Sequence, residues 1–324
     1  MKKIRHILFF LLFVINSVQA FSIEVISNKM IWQGENYAAF TSLVYYKGYF
    51  YCAFRNANKH YDPSGEDCGV IKIIRSKNSD KWEEFLSFEE DGYDLRDPQL
   101  SITPDKRIML LTEKVQYKEG KALSRQTCIS FINKKGKYTV LSPIVFSHAQ
   151  NNNWIWNIEW INGIAYGFIY VPYFGFVKSN DGSNWQVLQK ITLDNSPSEA
   201  SVISMDNDNY LAVVRRNINA LIGKYDIKTS SWEWHDSGVN LGCPKIIKIE
   251  DRIIVLGRDQ GKEKQTAIFQ LNINNMSLEK IIGVKGQKDT AYPGVVYRKD
   301  ILYVSYYNGD GKKGDIYFVK IKMD

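Results

Sequence analysis

Residues 243–258 read CPKIIKIEDRIIVLGR: an apolar run broken by lysines, a tight Glu-Asp turn, and a second run that is apolar almost throughout. Short β-branched runs on either side of turn residues predict an antiparallel strand pair. The pattern occurs five more times: FTSLVYYKGYFYCAFR (40–55), DPQLSITPDKRIMLLTE (97–113), WNIEWINGIAYGFIYV (156–171), SEASVISMDNDNYLAVVRR (198–216) and YPGVVYRKDILYVSYY (292–307). Their turns are rich in the Gly, Asp, Asn and Pro that tight reversals need. A third strand follows each pair, as in GVIKIIRS or TAIFQLNIN, and a fourth follows all but the last, as in KWEEFL, KYTVLS or NWQVLQ. The last unit lacks a fourth strand, while SIEVISNKMIW stands unpaired before the first.

Six four-stranded units whose ends share one sheet predict an all-β, six-bladed β-propeller closed by the N-terminal strand. Closure removes the open sheet edge that invites aggregation. Two β-sandwiches would leave the sixfold repeat unexplained, so a single domain over 21–324 is expected. No long stretch keeps a helical period. SKNSDKW (76–82) and SNDGSNW (179–185) approach the Ser-x-Asp-x-Gly-x-x-Trp turn known as an Asp box, one residue shorter. Their expected role is structural, on the outer part of a blade.

Residues 1–20 combine Lys2, Lys3 and Arg5, an apolar run from Ile7 to Ile15 and a small-residue end at Ala20. This is the pattern of a secretory signal peptide, and export to a periplasmic or extracellular space is expected. No later stretch reaches the ~20 apolar residues of a membrane span. Without the three leader cations the formal charge falls from +7 to +4. No basic tract accompanies that excess, so neither nucleic acid nor membrane insertion is expected, and a monomer is. Cys52, Cys68, Cys128 and Cys243 show no C-x-x-C spacing; buried thiols are as consistent with the pattern as bridges. His60, His148 and His235 lie in different units, and NGDGKKGD (308–315) reads as a turn, so no metal or other cofactor is expected.

In an antiparallel pair the first strand begins where the second ends, so six starts and six ends share one rim. That rim carries Arg55; Arg96 and Asp97; Trp156; Glu199 with Arg215 and Arg216; Arg258; and Tyr292 with Tyr307. Arginines that end apolar runs in a cleft are suited to carboxylate or phosphate.

At these residues the chain resembles the sialidase superfamily. The stretch 38–82 resembles its opening blade, with a loop carrying an acid/base and an Arg-Ser before an Asp box. PSEASVISMDNDNYLAVVRRN is similar to the segment in which a Glu starts one strand and an Arg ends the next. AYPGVVYRKDILYVSYY is similar to the one that supplies a tyrosine nucleophile. The resemblance implies Tyr292 as nucleophile, Glu199 as its base, and Arg215 or Arg216 with Arg258 holding an acidic group. For the acid/base, Asp67, Asp62 and His60 of the loop NANKHYDPSGEDCG compete, Asp67 first. A tyrosine suits this role because an anionic nucleophile would be repelled by a substrate carboxylate, whereas a phenol activated by Glu is not. Two positions depart: Ala39 or Phe40 stands where the family's first arginine is found, and Tyr-Pro-Gly-Val replaces Tyr-Ser-Asp-Leu. The expectation is an exported exo-glycosidase acting on a terminal sugar of a glycan, an acidic sugar among the candidates. Alternatives are a noncatalytic glycan-binding propeller using Trp154, Trp156 and Trp160, or a propeller-type polysaccharide lyase.

Overall fold

The computed structural model describes residues 23–34, 36–62, 64–147, 152–262 and 264–323. The leader read at 1–20 and His148 lie outside the described residues. Among the described residues every regular element is a strand. Strand β1 (Ile23–Trp32) is followed by β2 (Tyr37–Tyr46), β3 (Tyr49–Ala57), β4 (Val70–Ser76) and β5 (Glu83–Phe88). Next come β6 (Asp94–Ile102), β7 (Ile108–Lys118), β8 (Lys121–Ile132) and β9 (Ser142–Pro143). A third group is β10 (Val145–Phe146), β11 (Ile155–Ile161), β12 (Ile164–Ile169), β13 (Gly175–Ser179) and β14 (Asn184–Lys190). Then follow β15 (Ala200–Ser204), β16 (Asn209–Val214), β17 (Leu221–Asp226) and β18 (Ser231–Asp236). The chain continues through β19 (Leu241–Ile249), β20 (Arg252–Asp259), β21 (Gln265–Asn272) and β22 (Ser277–Lys285). It closes with β23 (Asp289–Arg298), β24 (Ile301–Gly309) and β25 (Gly314–Met323).

The architecture is all-β and propeller-like. The first strands β2, β6, β11, β15, β19 and β23 pack each against the next, and β23 returns to β2. Six apolar clusters fill the spaces between neighbouring strand groups. Each fully buried Ile, Leu or Phe in them contributes on the order of 2 kcal/mol. Among the described residues hydrogen bonding divides the strands into five sheets and not the six separate blades expected. One sheet has eight strands, because Tyr37 of β2 bridges Gly314 of β25 in parallel. The bridge needs a glycine: a Cβ on Gly314 would lie 2.5 Å from the carbonyl oxygen of Ala38. In the same sheet β1 pairs antiparallel with β25, from Ile23 opposite Met323 to Trp32 opposite Ile316.

Turn chemistry sets the hairpins. Lys47-Gly48, Asn162-Gly163 and Lys299-Asp300 each link two strands with both central residues at positive φ, the geometry that matches strand twist. The fourth strand expected over 137–142 shrinks to β9 and one bridge between Ile132 and Tyr138; between them Thr139 hydrogen-bonds Ser130 and Phe131 of β8. Both shortened Asp boxes form. Asp181 Oδ1 accepts the N–H groups of Ser183 and Asn184, and Asn78 Oδ1 those of Asp80 and Lys81. Trp185 is buried and donates to Gly182 O, and Trp82 packs edge-on against Phe318. Asp310 caps the 308–315 turn in the same way. All four cysteines are free thiols.

Candidate active site

Five of the six first strands carry a bulge at the same place. Residues 40–41, 97–98, 156–157, 243–244 and 292–293 each face a single residue on the second strand. Phe40, Asp97, Cys243 and Tyr292 take positive φ there, at 62°, 46°, 45° and 49°. Pro98, Pro244 and Pro293 occupy the second bulge position, where a ladder donor is not required. A bulge turns one side chain out of the alternating pattern, and here the turned residues cluster around the axis. Asp97, Trp156 and Tyr292 are thereby brought together with Glu199, which immediately precedes β15.

The Tyr292 hydroxyl donates to Glu199 Oε1 at 2.5 Å. The other carboxylate oxygen accepts Arg215 Nη1 and the Cys243 N–H, both at 2.8 Å. Glu199 is thus held on one side and presents its free oxygen to the phenol. The Tyr292 backbone is fixed as well: its N–H meets Cys243 Sγ at 3.2 Å and its carbonyl accepts Thr41 Oγ1 at 2.8 Å. Burial, then the charges of Glu199 and Asp97, hold the phenol well above the ordinary tyrosine range, with Arg215 opposing. A free phenolate is therefore disfavoured. Oxygen nucleophilicity can arise only as the proton passes to Glu199. Phe40, Trp156 and Tyr307 surround the phenol with ring centroids at 4.6, 5.9 and 6.0 Å.

Asp97 is buried, and burial pushes its carboxyl up to about 7, with Glu199 adding to the rise and Arg96 opposing it. Behind it Glu113 is fully buried, accepts the Thr127 hydroxyl, and is raised well above the carboxylate range by burial. Trp156 is buried with its indole N–H unpartnered.

The arginines are tied to carboxylates. Arg55 Nε and Nη2 lie 2.9 and 2.8 Å from Asp94 Oδ1, and Arg96 Nη1 lies 2.9 Å from Asp94 Oδ2. Only glycine fits beside the first pair: a Cβ on Gly69 would stand 2.3 Å from Arg55 Nε. Arg258 donates through Nη2 to Asp289 at 3.0 Å and to Tyr307 at 2.7 Å, and through Nε to Thr290 O. Asp289 also accepts the Tyr307 hydroxyl at 2.5 Å and the Tyr37 hydroxyl, which contacts His60 Nδ1 at 2.6 Å. Burial alone would raise Asp289, yet hydrogen bonds from His60, Tyr307 and Tyr37 and the Arg258 charge hold it far below the carboxylate range.

Two groups of residues expected at the site are engaged by other partners. Arg216 is held by Asp194 at 2.5 Å and Asp236 at 3.1 Å, so Arg215 is the one that meets Glu199. The two loop acids are engaged by their own loop. Asp67 accepts the N–H groups of Asn58 and Lys59, and Asp62 accepts the Ser64 hydroxyl and the Asp67 N–H. The first-arginine position is taken by Phe40, whose ring carries Arg96 at 5.4 Å. Sequence reasoning missed Cys243, Tyr37, Asp94 and Asp289. The recurring X-Pro at 97–98, 243–244 and 292–293 was the signal that aligns Cys243 with Tyr292. Asp94, Asp289 and Tyr37 each stand three residues before a bulge. Beyond the bulges the inner strands run to the opposite mouth, where a cavity of about 590 Å³ is lined by Glu159, Trp160 and Lys245 among others. It lies apart from the Tyr292–Glu199 pair.

No known protein family and no curated protein matches the sequence. Solved structures do. A protein of unknown function from Dyadobacter fermentans superposes with a TM-score of 0.80 at 19% identity, over 93% of this chain and 99% of that one. Trypanosoma rangeli sialidase, as a covalent intermediate with 2,3-difluorosialic acid, gives 0.64 at 11% identity, over 91% of this chain and 59% of its own. Penicillium chrysogenum α-L-arabinanase with arabinobiose gives 0.67 at 15%, over 91% and 98%. At these identities the likeness shows the fold, a β-propeller architecture shared with a sialidase and an arabinanase.

Proposed function

We propose that the chain is an exported glycoside hydrolase on a six-bladed propeller, the eight-stranded sheet being two blades and β1 completing the last. The leader-like residues 1–20 support export. The observation that carries the catalytic reading is the 2.5 Å contact between Tyr292 and a Glu199 fixed by Arg215 and the Cys243 N–H. In the first step Tyr292 Oη bonds to the anomeric carbon while its proton passes to Glu199 Oε1. The glycosidic C–O bond breaks, and its oxygen takes the proton of Asp97. In the second step water attacks the same carbon, gives a proton to Asp97, and releases Tyr292, which recovers its proton from Glu199. Two displacements retain the anomeric configuration. Asp97 replaces the loop acids in this scheme because it is turned into the cleft and titrates near neutrality, where a general acid is most effective.

Tyr292→Phe and Glu199→Gln, assayed on a panel of aryl glycosides, are expected to lower kcat by about a thousandfold or more with glycan affinity retained. Unaltered turnover in either variant would refute the pair. The competing reading, a noncatalytic binding propeller, draws support from the aromatic wall of Phe40, Trp156 and Tyr307. It requires glycan binding without hydrolysis in the unmodified protein.

A further inference from the structure

We infer that the sugar seated over Tyr292 is electrically neutral, because each cleft arginine is already paired with one of the protein's own carboxylates. The inference rests on the reading of this cleft as a glycan site. Four guanidinium groups border it, those of Arg55, Arg96, Arg215 and Arg258. Each lies within 3.0 Å of a carboxylate: Asp94 for the first two, Glu199 for the third, Asp289 for the fourth. Asp97 supplies a fourth negative charge when ionised.

Two of these pairs are one device used twice. Arg55 lies near the end of β3 and meets Asp94, three residues before the Asp97 bulge of the next strand group. Arg258 lies near the end of β20 and meets Asp289, three residues before the Tyr292 bulge. The first pair is buried at 0% and 2% exposure, as a tie between neighbouring units. The second sits closer to the opening, at 14% and 18%. Asp289 is further bound by two tyrosine hydroxyls, so it stays ionised and in place. A substrate carboxylate would have to compete with it for Arg258. At the remaining first-strand position the cleft offers the Phe40 ring, which contributes no charge. What the arginines retain is neutral recognition: Arg258 Nη1 and Arg215 Nη2 can still donate to hydroxyls, while Phe40 and Trp156 offer apolar faces to a sugar ring.

The test sets neutral aryl pentosides and hexosides against matching uronides and aryl sialosides, with wild type and Asp289→Asn. Wild type is expected to favour neutral substrates by about 100-fold in kcat/KM, since an unpaired carboxylate would be buried. Asp289→Asn leaves Arg258 uncompensated and is expected to narrow that ratio at least about tenfold. A wild-type preference for acidic glycosides overturns the inference, as does an unchanged ratio in a folded Asp289→Asn. Should that variant not fold, the wild-type ratio decides alone. If nothing is hydrolysed, the catalytic reading fails, and an array of neutral- and acid-terminated glycans decides this one. Binding confined to acidic termini, or to none, overturns it; binding to neutral termini supports it.

Discussion

Asp97→Asn is expected to stabilise the fold while impairing catalysis, and the two effects share one cause. Asparagine keeps the size of the side chain and tolerates the left-handed backbone, φ 46°, that most residues would strain to adopt. It stands in for the protonated acid. In the folded protein Asp97 titrates at about 7, against 3.8 for the ordinary carboxyl. Between those values the folded state binds a proton that the unfolded state has released, so wild-type stability falls as pH rises through the window. The advantage of Asp97→Asn is therefore expected to grow from under about 1 kcal/mol at pH 4 to roughly 4 kcal/mol at pH 8. The upper figure is a limit, because water entering the cleft offsets part of the burial. Urea unfolding of both proteins at half-unit pH steps measures the difference. In parallel, kcat/KM of wild type is expected to fall above pH 7 as the acid ionises. The variant should lose about 10²- to 10⁴-fold on poor leaving groups and far less on nitrophenolates, which need no proton. A stability difference that does not change with pH, or a variant less stable than wild type at pH 8, refutes the reasoning: Asp97 would then be ionised and compensated by Arg96.

Two other perturbations test the frame around the site. Gly69→Ala drives a methyl to within 2.5 Å of both Arg55 Nε and Asp94 Oδ1. Separating that buried pair is expected to cost about 3 kcal/mol or more by chemical denaturation, and a loss under about 1 kcal/mol would show the pair to be expendable. Burial pushes the Cys52 and Cys128 thiols up to about 12 and Cys243 to about 11; burial and the Asp94 charge raise Cys68 too, but it is the one partly exposed to solvent. A thiol reagent at pH 7 should therefore label Cys68 alone in the folded protein and all four after denaturation. Rapid labelling of Cys243 in the native state would contradict the closed arrangement around Glu199.

The strand pairs were legible because each combines a period-two or fully apolar run with turn residues, and both signals are local. What escaped depends on distance in the fold. The joining of two strand groups into one eight-stranded sheet rests on a bridge between Tyr37 and Gly314, residues that no local pattern relates. The fourth strand of the second group is reduced to Ser142–Pro143 and one bridge at Tyr138, a shortening that its run of apolar residues does not signal. At the site, Tyr292, Glu199 and Arg215 followed from strand starts and ends sharing a rim. Neighbouring residues at a strand end point to opposite sides, so only one of Arg215 and Arg216 could meet Glu199, and only the structure says which. The loop acids escaped for a different reason. Whether Asp62 or Asp67 faces a cleft or caps its own loop is set by how residues 58–69 fold back, and nothing periodic records that.

The bulges explain how such a pocket can change without disturbing the propeller. The core lies between sheets, where Phe176, Ile254 and Val319 are fully buried. The axial residues instead project from bulged positions, where two residues share one partner on the second strand. A substitution there alters what faces the cleft and leaves the ladder hydrogen bonds in place. Phe40 can therefore occupy a position whose counterparts are Asp97, Trp156, Cys243 and Tyr292, five different chemistries on one repeated backbone. The inter-unit arginines are under the opposite constraint. Removing Arg55 or Asp94 would leave the other charged and buried, so that pair serves stability whatever occupies the cleft. An arginine at this rim is for that reason weak evidence of an anionic ligand until its carboxylate partner has been sought three residues before the next bulge.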